Sequence, residues 1–569
     1  MPTFKTTEQL KAAFAADGFE MDPNVVTING RRGIVARHKT AVNSQTGRPK
    51  KAYYVEGSGY DMGFLVGLLG TREVRAMTKD FVRYVIPAFV APDQNSQKGK
   101  VLFDLLLKLG VERTLDRYRK YPADIPQQLW EEMQGLADGC SKGDLTAPVS
   151  RDEVLALNTG FDCILASLYT GLGLDDYLNA LEDALSHLLK FAPGIREAHA
   201  EVKTKLNADM FRVPVGCNAL AAFGNATSGG KAWFGRDFQF PTGGIFQNQA
   251  CMIIYNPDYS LEDGSPAQPI VSMTAPGFAG SVCAMSAKGV ALGVHVVMGS
   301  CSSFERPGLN SLLLVRHAGH HATSMQQVVD TIVAAQRGVS WMYPIADGDN
   351  QQACVVEAGM TTDKYDPLAG IGPALRKKLP RGPFTPARKG LMVRPSDWQY
   401  PAQYLNYNPA LFAHYGMPYD AAAAQNPTGY LCPNWSSGKL PFSCYFPPQR
   451  EVKPDILVVN NHYIIPEMRL SSMDEWVGLL HGGHRYDFQW RHDELNRQAL
   501  DAYGRIDEAK ALELTDFLAP YRKFPGYYLN KPTIEGSVSL CDLTVRKMTS
   551  HYGYFADDWV AITLSNYVT

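Results

Sequence analysis

The chain has no CxxC pair. Its ten cysteines are scattered through 569 residues, so their spacing supports neither a zinc ribbon nor a disulfide scaffold. There is no surplus of either charge: 55 Lys+Arg against 57 Asp+Glu leave a formal net charge of -2. The one compact basic run, Arg376-Lys377-Lys378, is short, which argues against nucleic acid as the main partner. No long uncharged apolar run exists either. The most apolar stretch, Ser281 to Gly299, carries Lys288, His295 and three glycines. Ala287-Lys288-Gly289 in its middle reads as a hairpin turn between two buried strands, not as part of a membrane span. The polar N-terminus lacks the apolar core of a secretion signal, so the expectation is a soluble, cytoplasmic protein. No repeat or low-complexity segment stands out.

Two familiar site patterns are also missing. Gly57, Gly59 and Gly63 follow GxGxxxG spacing, not the GxGxxG of a dinucleotide loop, and no βαβ unit follows them. A helix-entry turn is the better reading. His317, His320 and His321 lack the Glu of HExxH, and His481 and His484 are no better placed. No metal and no cofactor is expected.

What is present is ordinary globular material: hydrophobic residues are 45% and charged residues 20%, enough for a large core. Residues 1–50 are polar and without clear period. A helix is predicted from Phe64 to about Ile86, and another starts near Pro126 and ends at Gly139. Further helices are expected near 152–170 and 175–205, making the first 200 residues mostly helical. From Phe211 the texture turns to short Gly/Val/aromatic runs. Cys217–Phe223 and Lys231–Phe240 read as paired strands, and two more flank Ala287-Lys288-Gly289. Ser311–Gln336 reads as one long amphipathic helix and Tyr343–Glu357 as a strand pair. Residues 379–450, rich in Pro, Tyr and Asn, read as an irregular insertion. Asp455–Ile464 reads as a strand and 490–523 as helical.

Cys217 carries the chemistry. Taken alone, a cysteine that opens a strand is most often a small buried hydrophobe. Here it follows Pro214-Val215-Gly216 at the boundary between helical and strand-rich texture. A glycine before a nucleophile lets the peptide bond adopt geometry that other residues resist. If Gly216–Cys217 breaks, Cys217 gains a free α-amine beside its thiol, so one residue supplies nucleophile and base. Arg236, on the adjoining strand, can stabilise a thiolate or hold a carboxylate partner.

Gly216-Cys217-Asn218-Ala219-Leu220, Gly224-Asn225-Ala226-Thr227 and Phe234-Gly235-Arg236-Asp237 together resemble the start of the mature chain in N-terminal-nucleophile (Ntn) hydrolases. The family most similar is the self-processing acyl-coenzyme A:6-aminopenicillanic-acid acyltransferases. Glu56-Gly57-Ser58-Gly59-Tyr60-Asp61-Met62-Gly63, the Trp130–Gly139 helix, Pro276-Gly277-Phe278-Ala279-Gly280 and Asn461-His462 extend the resemblance in family order. It implies an α+β fold, a four-layer αββα sandwich with a mostly helical N-terminal segment. Residues 1–216 would be released by self-cleavage and 217–569 would form the catalytic chain. Cys217 matches the nucleophile, Arg236 the arginine of the Gly-Arg-Asn/Asp motif and Asn461 an oxyanion-side asparagine. Two positions depart from the family. Gln239 stands where relatives carry an aspartate, leaving Asp237 to supply that charge, and His295 stands near a common oxyanion asparagine. Arg236 and Asp237 are expected to form a charged pair.

The resemblance implies amide hydrolysis or acyl transfer through an acyl-cysteine, on a small-molecule amide or acyl substrate, with acyl-coenzyme A as one donor and a homo-oligomer compatible. A phospholipase-B-like lipid hydrolase and a non-catalytic binding protein are the alternatives.

Overall fold

Strands rich in Val, Ile, Ala and aromatic residues are buried here on both faces, which requires cover above and below each sheet. The computed structural model describes residues 4–84, 111–112, 114–169, 216–240, 242–297, 302–303, 305–363, 389–401, 409, 413, 450–469, 487–519, 535–553 and 557–569. The helix expected near 175–205 and most of the 379–450 insertion lie outside these residues.

Twelve strands form the larger sheet. They are β1 (Phe19–Met21), β2 (Val26–Ile28), β3 (Arg31–Val42), β4 (Pro49–Gly57), β7 (Cys251–Pro257), β8 (Ile270–Thr274), β9 (Cys283–Ser286), β10 (Val290–Gly293), β11 (His295–Val296), β12 (Trp341–Asp347), β13 (Gln352–Ala358) and β14 (Leu391–Pro395). The smaller sheet runs in the order β15 (Ile456–Val459), β5 (Gly216–Ala222), β6 (Trp233–Gln239), β16 (Glu535–Asp542), β17 (Lys547–Tyr552), β18 (Val560–Thr563). Pairing is antiparallel except between β4 and β7.

Side-chain alternation on β5 divides the core. Ala219, Ala221 and Phe223 enter the cluster shared with Leu292, Val294 and Ile345 of the larger sheet. Leu220 and Ala222 face the other way, onto Trp490, Leu495 and Leu514. Those last residues belong to the helices Asp487–Asp501 and Glu508–Thr515. The outer face of the larger sheet is covered by α2 (Gly59–Leu69) on β3 and β4, and by Ser311–His321 and Met325–Ala334 on β8–β13. Helix, sheet, sheet, helix is the predicted layer order. Among the described residues the other α-helices of eight residues or more are labelled in chain order: α1 (Thr7–Ala16), α3 (Gln127–Gly143), α4 (Arg151–Tyr169), α5 (Ser311–His321), α6 (Met325–Ala334), α7 (Asp487–Asp501) and α8 (Glu508–Thr515). Among the described residues no helix is long and apolar enough to cross a membrane.

The glycines that resemble a loop motif have a packing reason. Ser58 caps α2 in a capping box with Asp61, as a helix-entry turn should. Beyond the turn, α2 and α3 touch backbone to backbone. A Cβ on Gly63 would lie 2.0 Å from the Glu132 carbonyl oxygen, and one on Gly139 would lie 2.1 Å from that of Phe64. Gly63→Ala is therefore expected to cost about 1–3 kcal/mol by overpacking, read as a lower urea midpoint at unchanged slope. An unchanged midpoint would mean that the two helices can separate freely.

Several expectations are corrected. The short strand that the sequence offers at Tyr53–Glu56 is part of β4, and β1–β3 before it are strands as well, not part of a mostly helical segment. Their period is masked because Arg32 and Arg37 spend their charge on Glu56 and Asp22, while Ile34, Val35 and Ala36 are buried. Gly139 does not end α3, which runs on to Gly143, because Gly139 is a contact point with α2. The long helix predicted over Ser311–Gln336 is two helices. It breaks before Ser324, whose hydroxyl accepts from Gln327 N and starts α6. The insertion contributes a strand, β14, and the C-terminal strands β16–β18 complete the smaller sheet without a counterpart in the sequence reading.

Candidate active site

The register of β5 against β6 sets Cys217 opposite Phe238 and Ala219 opposite Arg236. Directly paired residues share a face, so Arg236 reaches along the inter-sheet side to the thiol. Its Nη2 donates to Cys217 Sγ at 3.3 Å, and its other hydrogen bonds go to the carbonyls of Asp237 and Val294. The side chain is buried, so this cation stands against sulfur with little water between. On the other side β15 pairs with β5 through Val459 and Ala219. Continuing two residues brings Asn461 level with Cys217, and Asn461 Oδ1 accepts from Cys217 N at 2.6 Å.

A residue that sequence reasoning missed closes the group. Arg491 on α7 donates from Nη1 to Cys217 O at 2.9 Å and to Asn218 Oδ1 at 2.8 Å, and from Nη2 to Asn461 Oδ1 at 3.1 Å. In the sequence it is one arginine in a charged helix, which reads as solvent-facing. Asn218 and Asn460, hydrogen-bonded to each other, carried a weak signal: they are polar residues in strands that otherwise read as buried.

Asp237 and Arg236 are adjacent in a strand and point to opposite faces, so the expected charged pair is replaced by a bond from Arg236 to the Asp237 backbone. The Asp237 carboxylate instead receives Gln239 Nε2 at 2.9 Å and Asn218 Nδ2 at 3.4 Å, on the helix side of the sheet. His295 is corrected as well. Burial and the neighbouring Arg236 hold its pKa well below the usual value, so the ring is neutral. Its Nδ1 faces the Asn460 carbonyl at 3.2 Å, which makes Nδ1 the donor and leaves Nε2 an acceptor, unable to donate to an oxyanion. Asn461 donates from Nδ2 to Val296 O at 2.9 Å, so one amide proton remains for other use.

Gly216 is not in the left-handed region; it pairs regularly with Gln239. Its missing side chain matters by space, since a Cβ would lie 2.8 Å from Gln239 Oε1. Cys217 also borders an apolar cavity of about 60 Å³ walled by Phe161, Phe238, Phe240, Phe246, Phe278 and Trp341. Elsewhere, Glu262, His317 and His321 bring one ligand atom each within 4.8 Å of one another, a donor set suited to a divalent ion. None of the three borders that cavity.

No family model matches the chain. An uncharacterized protein from Archaeoglobus fulgidus is 29% identical over 516 residues, which is 90% of this chain and 65% of that protein. The chain thus spans less than two thirds of that relative's length. Solved structures with some likeness include a Caenorhabditis elegans ortholog of N-acylethanolamine-hydrolyzing acid amidase, at TM-score 0.29 and 10% identity over 57% of this chain and 93% of that one. A conjugated bile acid hydrolase mutant from Clostridium perfringens gives 0.32 and 12% over 61% and 92%. Penicillin V acylase from Agrobacterium tumefaciens gives 0.31 and 8% over 61% and 86%. The helix–sheet–sheet–helix order stands on the strand pairing and packing of this chain itself.

Proposed function

We propose that the chain is a self-processing cysteine amidohydrolase or acyltransferase of the N-terminal-nucleophile type, with Cys217 as nucleophile. The observation that carries this reading is that both reactive atoms of one residue are addressed separately. Cys217 N is held by Asn461, while Cys217 Sγ meets Arg236 and borders the aromatic cavity. In self-processing, Sγ attacks the Gly216 carbonyl carbon, the peptide nitrogen leaves with the thiol proton, and water resolves the thioester. Residues 1–216 and 217–569 are then separate chains, and Cys217 carries a free amine. That amine has an ordinary pKa of about 7.7–8.0 and can serve as general base at neutral pH. With an amide substrate, the thiolate displaces the amine and forms an acyl-cysteine; water or a second amine releases the acyl group. A small-molecule amide suits the small cavity, and acyl-coenzyme A is the donor in the transfer version.

Intact mass spectrometry is the test. Wild type is expected as chains of 216 and 353 residues (569 − 216 = 353), their masses summing to the full chain plus one water. Cys217→Ala is expected as one uncut chain. An uncut wild-type chain would reject self-processing and favour a binding protein.

A further inference from the structure

The cavity beside Cys217 is aromatic along its walls and acidic at one point. Phe161 packs edge-on to Phe240 at 4.7 Å between centroids, and Phe238 stacks on Phe240 at 5.8 Å. Asp162 of α4 reaches the same cavity and is 2% exposed. Its Oδ2 accepts from Ser311 Oγ at 2.7 Å. Its Oδ1 has no hydrogen-bond partner, and the indole Nε1 of Trp341, itself without a partner, is the one other polar group that acts on the carboxylate.

Apart from Trp341 Nε1, the cavity's other polar side chains, Asn158 and Ser311, are occupied. Asn158 donates to Val154 O and Gly277 O and accepts from Ala279 N. Ser311 holds a left-handed backbone conformation at φ +40°, unfavourable for a non-glycine residue, and its hydroxyl donates to Asp162. No cation among the described residues faces Asp162. Tyr118, Cys163 and Tyr343, the titratable groups that sense its charge, are all kept neutral by burial. Burial raises the Asp162 carboxyl to about 7, with Ser311 and Trp341 opposing the rise. A buried carboxylate with a spare oxygen and no counter-charge, inside an aromatic box, lacks a cation.

We propose that Asp162 makes this cavity a specificity pocket for a short substrate chain ending in a protonated amine, with the ammonium between Asp162 and the aromatic walls. This rests on reading Cys217 as the nucleophile that borders the same cavity. A volume of about 60 Å³ is about four to six times what one water requires, so the chain is slim and a few heavy atoms long. Because Asp162 belongs to residues 1–216, the released segment stays bound and supplies selectivity to the catalytic chain.

The test is binding, not turnover. Cys217→Ala protein is titrated calorimetrically with 4-aminobutanamide and with its methyl-ended isostere, pentanamide. At about pH 8 the amine is expected to bind at least about tenfold more tightly, as a desolvated charge pair should. The preference is expected to shrink as pH falls through about 7, where Asp162 takes a proton. Adding Asp162→Asn is expected to abolish the preference and keep pentanamide binding. Equal affinity at about pH 8, a preference that survives Asp162→Asn, or no binding of the amine overturns the proposal. If the Asp162→Asn protein does not fold, the pH comparison decides alone. Amide turnover by wild type is measured apart: its absence counts against Cys217 as nucleophile and leaves the binding result standing.

Discussion

Arg491→Met is expected to lower turnover by about 10²–10³-fold, the usual loss when one positioned donor is removed from an acyl-transfer site. The guanidinium ties three acceptors into one rigid unit: Cys217 O, Asn218 Oδ1 and Asn461 Oδ1. Met keeps an unbranched apolar stem, shorter than that of Arg, and offers no donor. Asn461 Oδ1 would then rest on Cys217 N alone, and the Cys217 carbonyl would lose its partner. Since Arg491 grips the backbone of Cys217, the proposed nucleophile, kcat should fall more than KM rises. Arg491→Lys should recover little, because an ammonium cannot reproduce the fork that spans these acceptors. Self-cleavage at Gly216–Cys217 should slow in parallel, which time-resolved mass spectrometry reads without any substrate. A change below about threefold in both rates, with the fold intact by circular dichroism, would make Arg491 a packing residue.

The part of this site visible in the sequence was the part carried by neighbouring residues. The β5–β6 hairpin was legible because Gly-rich turn residues separate two short runs, and it places Cys217 and Arg236 together. Asn461 was visible through motif order, its strand being short and apolar. Arg491 was not, because it comes from a helix 274 positions away in sequence from Cys217 and its burial is a tertiary fact. The direction of a side chain was also hidden. Arg236 and Asp237 read as a pair by adjacency, yet strand geometry sends them to opposite faces of the sheet. Strands β1–β3 and the first half of β4 are hidden in the sequence for a different reason. Their Arg and Lys residues break the alternation of hydrophobicity while ion pairs keep those charges at the rim. Asp162 could not be linked to the site at all, since α4 precedes Cys217 by a long stretch and only the packed core brings it to the cavity.

Arg394→Met is expected to cost about 3–5 kcal/mol near neutral pH, and much less in acid, because it strands a buried carboxylate. Glu357 of β13 accepts from Arg394 Nε at 3.0 Å, from Ile464 N at 3.1 Å and 3.2 Å to its two oxygens, and from Ile465 N at 3.1 Å. Arg394 also donates to Val458 O at 3.2 Å. The pair thus fastens β15 and the segment after it, which carries Asn460 and Asn461, to the larger sheet. Burial raises the Glu357 pKa, and Arg394 is the largest influence opposing that rise. A raised carboxyl pKa means that the folded state holds the proton more readily than the unfolded chain. Stability from that group is present at low pH and is lost as pH climbs through the folded value. Removing Arg394 lets the folded pKa rise further. Wild type and variant should therefore differ least near pH 4, where Glu357 is protonated in both, and most at about pH 7. Urea midpoints at the two pH values read this directly. Adding Glu357→Gln should return part of the neutral-pH loss, because the stranded charge is gone while an amide oxygen still faces the Ile464 and Ile465 N–H groups. A cost that does not vary with pH, or no recovery in the double variant, would show that Arg394 acts by packing and that the Asn461 segment is held by other contacts.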